Sequence, residues 1–210
     1  TQFDASLEWY FKPNASLTGA VFYKKMDDYI TAQNVNIEIP GRGTVLLSTQ
    51  VNGGEAKVYG VEAAYNQVFN FLPAPFDGLG FQASYTHTAV EASYTAGARP
   101  IVNQLIGLSK NSYNLVGFYD KGPISARLSY VWRGKYLAGN GSTTQTESYV
   151  AAFGSLDGNL SFRITPKTMI SLEGINLAGA KAYSYSGIEA RYNEIQYYGR
   201  TILFGVRTEF

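Results

Sequence analysis

The last ten residues alternate in character: Thr201-Ile202-Leu203-Phe204-Gly205-Val206-Arg207-Thr208-Glu209-Phe210. Ile202, Phe204, Val206 and Phe210 share one face, with Thr208 between the last two. Thr201, Gly205, Arg207 and Glu209 share the other, where Leu203 is the exception. Successive side chains of a strand point to opposite faces, so a period of two marks a strand with one apolar and one wet side. The stretch ends on an aromatic of the apolar face. A water-soluble chain gains little from a terminal Phe, because termini fray. A membrane-spanning β-barrel does end this way, with aromatic residues forming a girdle at the edge of the apolar band. The C-terminal edge strand of a soluble sandwich is the other reading at this point.

The same period recurs along the chain. Phe3, Ala5, Leu7, Trp9 and Phe11 alternate with Asp4, Ser6, Glu8 and Tyr10. Gly54 to Phe71 sets Tyr59, Val61, Ala63, Tyr65 and Phe69 against Gly60, Glu62, Ala64 and Asn66. Ile124, Ala126, Leu128, Tyr130 and Trp132 alternate with Ser125, Arg127, Ser129 and Arg133; Val131 is out of pattern. Leu156 to Ile164 and Ile170 to Glu173 repeat it. Parity is ambiguous in two places, at the consecutive Val21-Phe22-Tyr23 and across Asn111 to Tyr119. The count is nine long strands, the last starting near Gln196.

The connections sort by length. Those near Pro13, Gly122 and Pro166 are tight, and Leu72 to Gly78 is compact and Pro-rich, with Pro and Gly supplying the turn geometry. Those at about 31–52, 90–104, 140–147 and 178–195 are long, and the first has room for a projecting pair of short strands. Short turns on one rim and long loops on the other characterise an outer-membrane barrel, whose turns are periplasmic and whose loops are extracellular. The polar face carries Glu62, Arg127, Arg133, Asp157, Arg163, Glu173, Arg207 and Glu209. A wet lumen would solvate these charges. The expected fold class is therefore all-β, a transmembrane antiparallel β-barrel, and the expected place is the bacterial outer membrane with its lipid around the wall.

Composition narrows the chemistry. Tyr 17 and Phe 12 favour strands, and a formal net charge of +1 gives no field selecting nucleic acid. Cysteine is absent, so no thiolate metal site or Cys nucleophile is present. The one histidine, His87, lies near the outer rim on the apolar parity and has no nucleophile elbow to serve. Asp27-Asp28 reads as solvated loop charge. The expectation is no enzyme, no cofactor and no metal. No basic, apolar leader opens the chain, so it is expected to be a processed product or a piece of a longer one.

Six stretches resemble one family. Asn52 to Glu62, Phe76 to Phe81 with Ala83-Ser84-Tyr85-Thr86, Leu108 to Leu115, Arg133-Gly134-Lys135-Tyr136, Leu172 to Leu177 and Tyr198 to Phe210 are similar, in order, to the C-terminal barrel half of TonB-dependent outer-membrane receptors. The resemblance implies a barrel of about 22 strands with a plugged lumen, of which residues 1–210 would be the last nine or so. The N-terminal barrel strands and the plug would lie outside this chain. Implied partners are the TonB complex through the plug, the barrel-assembly machinery reading the closing strand, and a small scarce solute. The solute classes implied are oligosaccharide and iron-siderophore. The alternative is a small self-closed barrel of eight or ten strands with a structural or enzymatic role.

Candidate solute contacts lie in the long connections. Tyr183, Tyr185 and Tyr192 are aromatic surfaces that can stack on sugars or flat chelates, with Arg99 and Asn140 as polar candidates. Tyr197 and Tyr198 are expected in the barrel wall as part of the aromatic girdle.

Overall fold

A computed structural model describes residues 1–52, 54–96, 99–141 and 143–209, with backbone alone at 31–35, 48, 51, 94–96 and 99–102. In chain order the strands are β1 (Gln2–Lys12), β2 (Ala15–Met26), β3 (Ile30–Ile39), β4 (Gly43–Asn52), β5 (Gly54–Val68), β6 (Leu79–Ala96), β7 (Arg99–Val102) and β8 (Asn111–Lys121). They continue as β9 (Ile124–Arg133), β10 (Tyr136–Gly139), β11 (Ser148–Val150), β12 (Phe153–Thr165), β13 (Thr168–Ile175), β14 (Lys181–Ser186), β15 (Tyr192–Tyr197) and β16 (Thr201–Thr208). Nine of them pair in one antiparallel path, β1-β2-β5-β6-β8-β9-β12-β13-β16, with β7 added to the end of β6. These are the nine strands that the alternation marks.

Register carries the apolar parity from strand to strand. Leu17 faces Tyr65, Tyr65 faces Ala83, Ala83 faces Leu115, Leu115 faces Tyr130, and Tyr130 faces Leu156. Further along, Leu160 faces Leu172, which faces Phe204. The opposite face runs Glu62–Thr86–Ser112–Arg133 and Arg127–Asn159–Glu173. Register also resolves both ambiguous segments. Val21 and Tyr23 join the apolar face, and Phe22 lies on the polar one opposite Gly60. Tyr113, Leu115 and Tyr119 join the apolar face, and Phe118 lies on the polar one.

The wall has little interior. Leu7 is 76% exposed and Phe204 71%, and Leu128, Leu160 and Leu172 are about half exposed. Fully burying one such side chain contributes about 1.5–3 kcal/mol, and these chains bury little against their own protein. Charge on the apolar face is confined to its ends. Lys121 pairs with Asp77 at the short-turn end, while Lys25–Asp27 (2.7 Å) and Lys57–Glu91 (3.6 Å) sit at the long-connection end. Between them on β6, Phe81, Ala83, Tyr85, His87 and Ala89 carry no acid, Lys or Arg. That span matches the roughly 9–11 residues a tilted strand needs to cross a bilayer.

The long connections are more ordered than sequence suggests. Residues 31–52 carry the projecting pair of strands that the sequence allowed, longer than the short pair expected and paired from Ile30–Asn52 to Ile39–Gly43. The stretch expected as a loop at 90–104 instead extends β6 to Ala96 and returns as β7. The Tyr-rich stretch forms β14 and β15, so the final strand starts at Thr201 and not near Gln196. Tyr197 therefore belongs to the loop hairpin and not to the wall. Gly199, at φ +67°, is the bend between the two. β1 and β16 are the outer strands of the path and do not pair with each other among the described residues. Phe210 lies outside the described residues.

Candidate ligand-binding rim

At the long-connection end, β10, β11, β14 and β15 form a separate four-stranded sheet. Its base is set by Asn176, just past β13. Asn176 adopts φ +53°, a left-handed conformation that Asn tolerates better than most residues. Its Nδ2 donates to the carbonyls of Ala180 (3.0 Å) and Gly199 (2.8 Å), and its Oδ1 accepts from Ala180 N–H (2.8 Å). Its own N–H donates to Asp157 Oδ1 (2.8 Å). One buried side chain thus joins the point where the chain leaves the wall to the point where it returns. Sequence reading missed this residue; a lone Asn after an alternating run, followed by Leu-Ala-Gly, is the only local signal.

The sheet is held by tyrosines. Tyr149 stacks on Tyr185 at 5.5 Å, Tyr185 neighbours Tyr183 at 6.4 Å, and Tyr183 meets Tyr192 edge-on at 5.4 Å. The three candidate tyrosines are therefore brought together, in different settings. Tyr185 is 2% exposed, its ring packed between Tyr149 and Tyr183, whereas Tyr192 is 57% exposed. The Tyr149 hydroxyl donates to Glu147 Oε2 at 2.6 Å, and Glu147 is buried. Burial, reinforced by that carboxylate, pushes the Tyr149 phenol up to about 12, so it stays a neutral donor. Lys181 lies 4.7 Å over the Tyr197 ring, and Tyr198 meets Phe153 edge-on at 6.3 Å.

Asn140 follows β10 and is half-buried in the same assembly. Arg99 opens β7, away from the tyrosines in the pairing order; its side chain is outside the described residues. Residues 103–110 fold onto the polar face of the wall. Leu105 is buried there against Ala56 and Ala92, with Val58 and Val90 alongside. Hydrogen bonds pin the segment: Asn103 N to Ala92 O, Gly107 N to Leu137 O and Thr88 N to Lys110 O, each 2.8 Å. The Ser109 hydroxyl adds a bond to Gly134 O at 2.8 Å.

All the charges of the alternating polar face keep that face in the register. Glu62, Arg127, Arg133, Asp157, Arg163, Glu173 and Arg207 occupy it, and Glu209 follows the end of β16. Several are knitted to neutral neighbours. Arg127 Nη2 reaches Gln82 Oε1 at 3.4 Å, and Ser155 donates to Asp157 at 3.0 Å. Arg133 lies 4.6 Å over Tyr136. Arg207 reaches Glu209 at 3.4 Å. His87 is on the apolar face, where its Nδ1 hydrogen-bonds Asn111 Oδ1 at 2.7 Å; the Tyr85 hydroxyl donates to the same oxygen at 2.8 Å.

A sequence model described as TonB dependent receptor-like, beta-barrel matches residues 1–177. The chain belongs to the TonB-dependent receptor barrel family. It is a wall portion of such a barrel, and not an enzyme. Solved structures agree on the fold. The siderophore receptor PiuA from Acinetobacter baumannii is 17% identical with a TM-score of 0.68, and the match covers 100% of this chain and 28% of that one. The ferric-catecholate import receptor Fiu from K12 E. coli is 18% identical with a TM-score of 0.67, over 100% and 27%. The FrpB iron transporter from Neisseria meningitidis is 14% identical with a TM-score of 0.65, over 100% and 30%. The chain thus spans less than a third of the length of these structures. No curated protein matches it by sequence.

Proposed function

We propose that residues 1–210 are the C-terminal part of the wall of a TonB-dependent outer-membrane receptor that imports a scarce solute. The rest of the barrel and the plug belong to the same receptor, and the plug engages TonB. The apolar face contacts outer-membrane lipid, and the polar face lines the lumen. The observation that carries this reading is the register: an apolar face charged only at its ends, backed by a face that bears charges on strand after strand, in a wall whose long connections gather at one end. A water-surrounded sheet would leave the first face unsatisfied; lipid satisfies the first and a wet lumen the second.

The solute belongs to the iron-siderophore or oligosaccharide class. Tyr183 and Tyr192 present ring surface to it from the extracellular side, with Tyr185 as the packed support behind them and Arg99 and Asn140 as polar contacts. Siderophore and iron transporters among the structural relatives support the first class; the tyrosine surface suits both. The C-terminal stretch with Ile202, Phe204, Val206 and Phe210, the first three of them in β16, is the closing stretch read by the barrel-assembly machinery.

Uptake decides the matter. Cells carrying the intact receptor as their sole receptor of this kind are given a labelled ferric siderophore or a labelled oligosaccharide. One of the two accumulates, and accumulation stops when TonB is removed. Accumulation that ignores TonB would overturn the proposal.

A further inference from the structure

Behind the tyrosine sheet lies a cavity of about 350 Å³, between the polar face of β6 and the pinned segment 103–110. Such a volume is at the small end of ligand sites, which combine apolar walls with a few placed polar groups. Its apolar lining includes Leu105, Leu108 and Leu137, and its polar lining includes Gln104, Lys110, Lys135 and Tyr149. The walls are fixed in advance. Leu105 is buried on Ala56 and Ala92, and the segment carrying Gln104 is tied at both ends to β6. A preformed site avoids the ordering cost that a mobile loop imposes on binding.

The polar groups define what fits. Gln104 Oε1 is buried without a hydrogen-bond partner. A buried acceptor left unmade is unfavourable, so a donor arriving there is favoured. The Tyr149 hydroxyl is occupied by Glu147 at 2.6 Å and remains protonated, so it brings no negative charge. Among the described residues no carboxylate pairs with Lys110. Lys135 has Glu189 at 4.0 Å, with both side chains mostly exposed, an arrangement worth little. Two ammonium groups therefore border an apolar slot whose buried acceptor lacks a donor.

We infer that this cavity binds a small planar anion that also carries a hydroxyl donor, a hydroxylated aryl carboxylate being the simplest member. The anion lies against Lys110 and Lys135, the ring between the leucines, and the hydroxyl on Gln104. The inference rests on the receptor reading above and names a chemical fragment of its solute.

The test is calorimetry on the intact receptor in detergent with three probes: 4-hydroxybenzoate, benzoate and 4-hydroxybenzamide. The first binds about tenfold more tightly than either of the others, which lack the donor or the charge. Lys110→Gln weakens both carboxylates about tenfold and leaves the amide unchanged. Gln104→Leu weakens 4-hydroxybenzoate and leaves benzoate unchanged, in protein whose heat-modifiable migration shows it folded. No binding at millimolar probe, equal binding of all three, or indifference to Lys110→Gln would each overturn the inference. TonB-dependent uptake is measured in parallel. Uptake without probe binding sinks the cavity alone, and probe binding without TonB-dependent uptake sinks the import reading alone.

Discussion

Gly60 on β5 meets the carbonyl oxygen of His87 on β6 so closely that a β-carbon at position 60 would lie 2.1 Å from it. Phe22 covers the same glycine from the polar face, its ring tip 2.6 Å from that point. Phe118 covers Gly80 in the same way. Glycine is needed where backbone or a ring approaches this closely. Gly60→Ala is therefore expected to destabilise the barrel by about 1–3 kcal/mol through overpacking. Gly19→Ala, with nothing within 4 Å, is expected to be neutral. Heat-modifiability of the two variants on gels checks this; equal melting would show that the close approach relaxes freely.

The two faces of β9 differ in what they tolerate. Leu128 sits on the apolar face beside Gly117 and Gly158, and Ser129 on the polar face beside Val116 and Asp157. Leu128→Arg near the bilayer midplane is expected to cost about 2–4 kcal/mol, and Ser129→Arg far less. Equilibrium unfolding in lipid vesicles measures both. Equal costs would remove the assignment of lipid and lumen.

Topology predicts a labelling difference. Asn140 lies among the long connections, and Lys167 lies in the tight turn between β12 and β13. Cysteine introduced at Asn140 in the intact receptor reacts with an impermeant reagent on whole cells, and cysteine at Lys167 does not. The reverse pattern would invert the barrel.

Removing the Asn176 clamp separates loop from wall. Asn176→Ala leaves Ala180 N–H and the Ala180 and Gly199 carbonyls without their partner, a loss of about 1–3 kcal/mol for buried groups. Cleavage by added protease is expected to rise at the exposed turn 188–191, while the wall's thermal migration stays close to native. A wall that melts with the loop would mean that the clamp holds the sheet itself.

Acid acts at the other rim. In the turn before β6, the hydrogen bond from Lys121 holds the Asp77 carboxyl below its ordinary 3.8, with partial burial opposing. A depressed folded value means that the stabilisation is complete above the ordinary value and is lost as pH falls through the lower, folded one. Lys121→Met should therefore begin acid unfolding at higher pH than the parent. The difference is small even where it is complete, because both side chains are about a third exposed. Superimposable acid profiles would count against the pair.

The wall was legible because two solvents impose a period of two on every spanning strand, as in Leu128/Ser129 or Leu160/Ser161. Phe22 and Phe118 broke the pattern for a reason that local sequence does not hold: each covers a glycine on the neighbouring strand, so its place follows from pairing. The end of the chain misled differently. The short stretch from Gln196 to Thr201 holds no proline, and Gly199 is the one mark of the bend between β15 and β16. The tyrosine cluster was legible as composition. That Tyr185 is packing and Tyr192 is surface depends on Tyr149, 36 positions before Tyr185 and brought beside it only by β11 pairing with β14.

In the nine-strand path every wall strand lies beside the wall strands that precede and follow it in the chain. An insertion that touches the sheet only at its base changes the pairing of its two neighbours mainly through the entropy of a longer tether, which rises by about 0.6 kcal/mol for each doubling of its length. The β3–β4 hairpin and the β14–β15 hairpin are such insertions. Apart from contacts at their bases, such as Asn176 with Asp157, their sequences are thus weakly coupled to the sheet that carries them, and a lineage can exchange one recognition surface for another while inheriting the same wall.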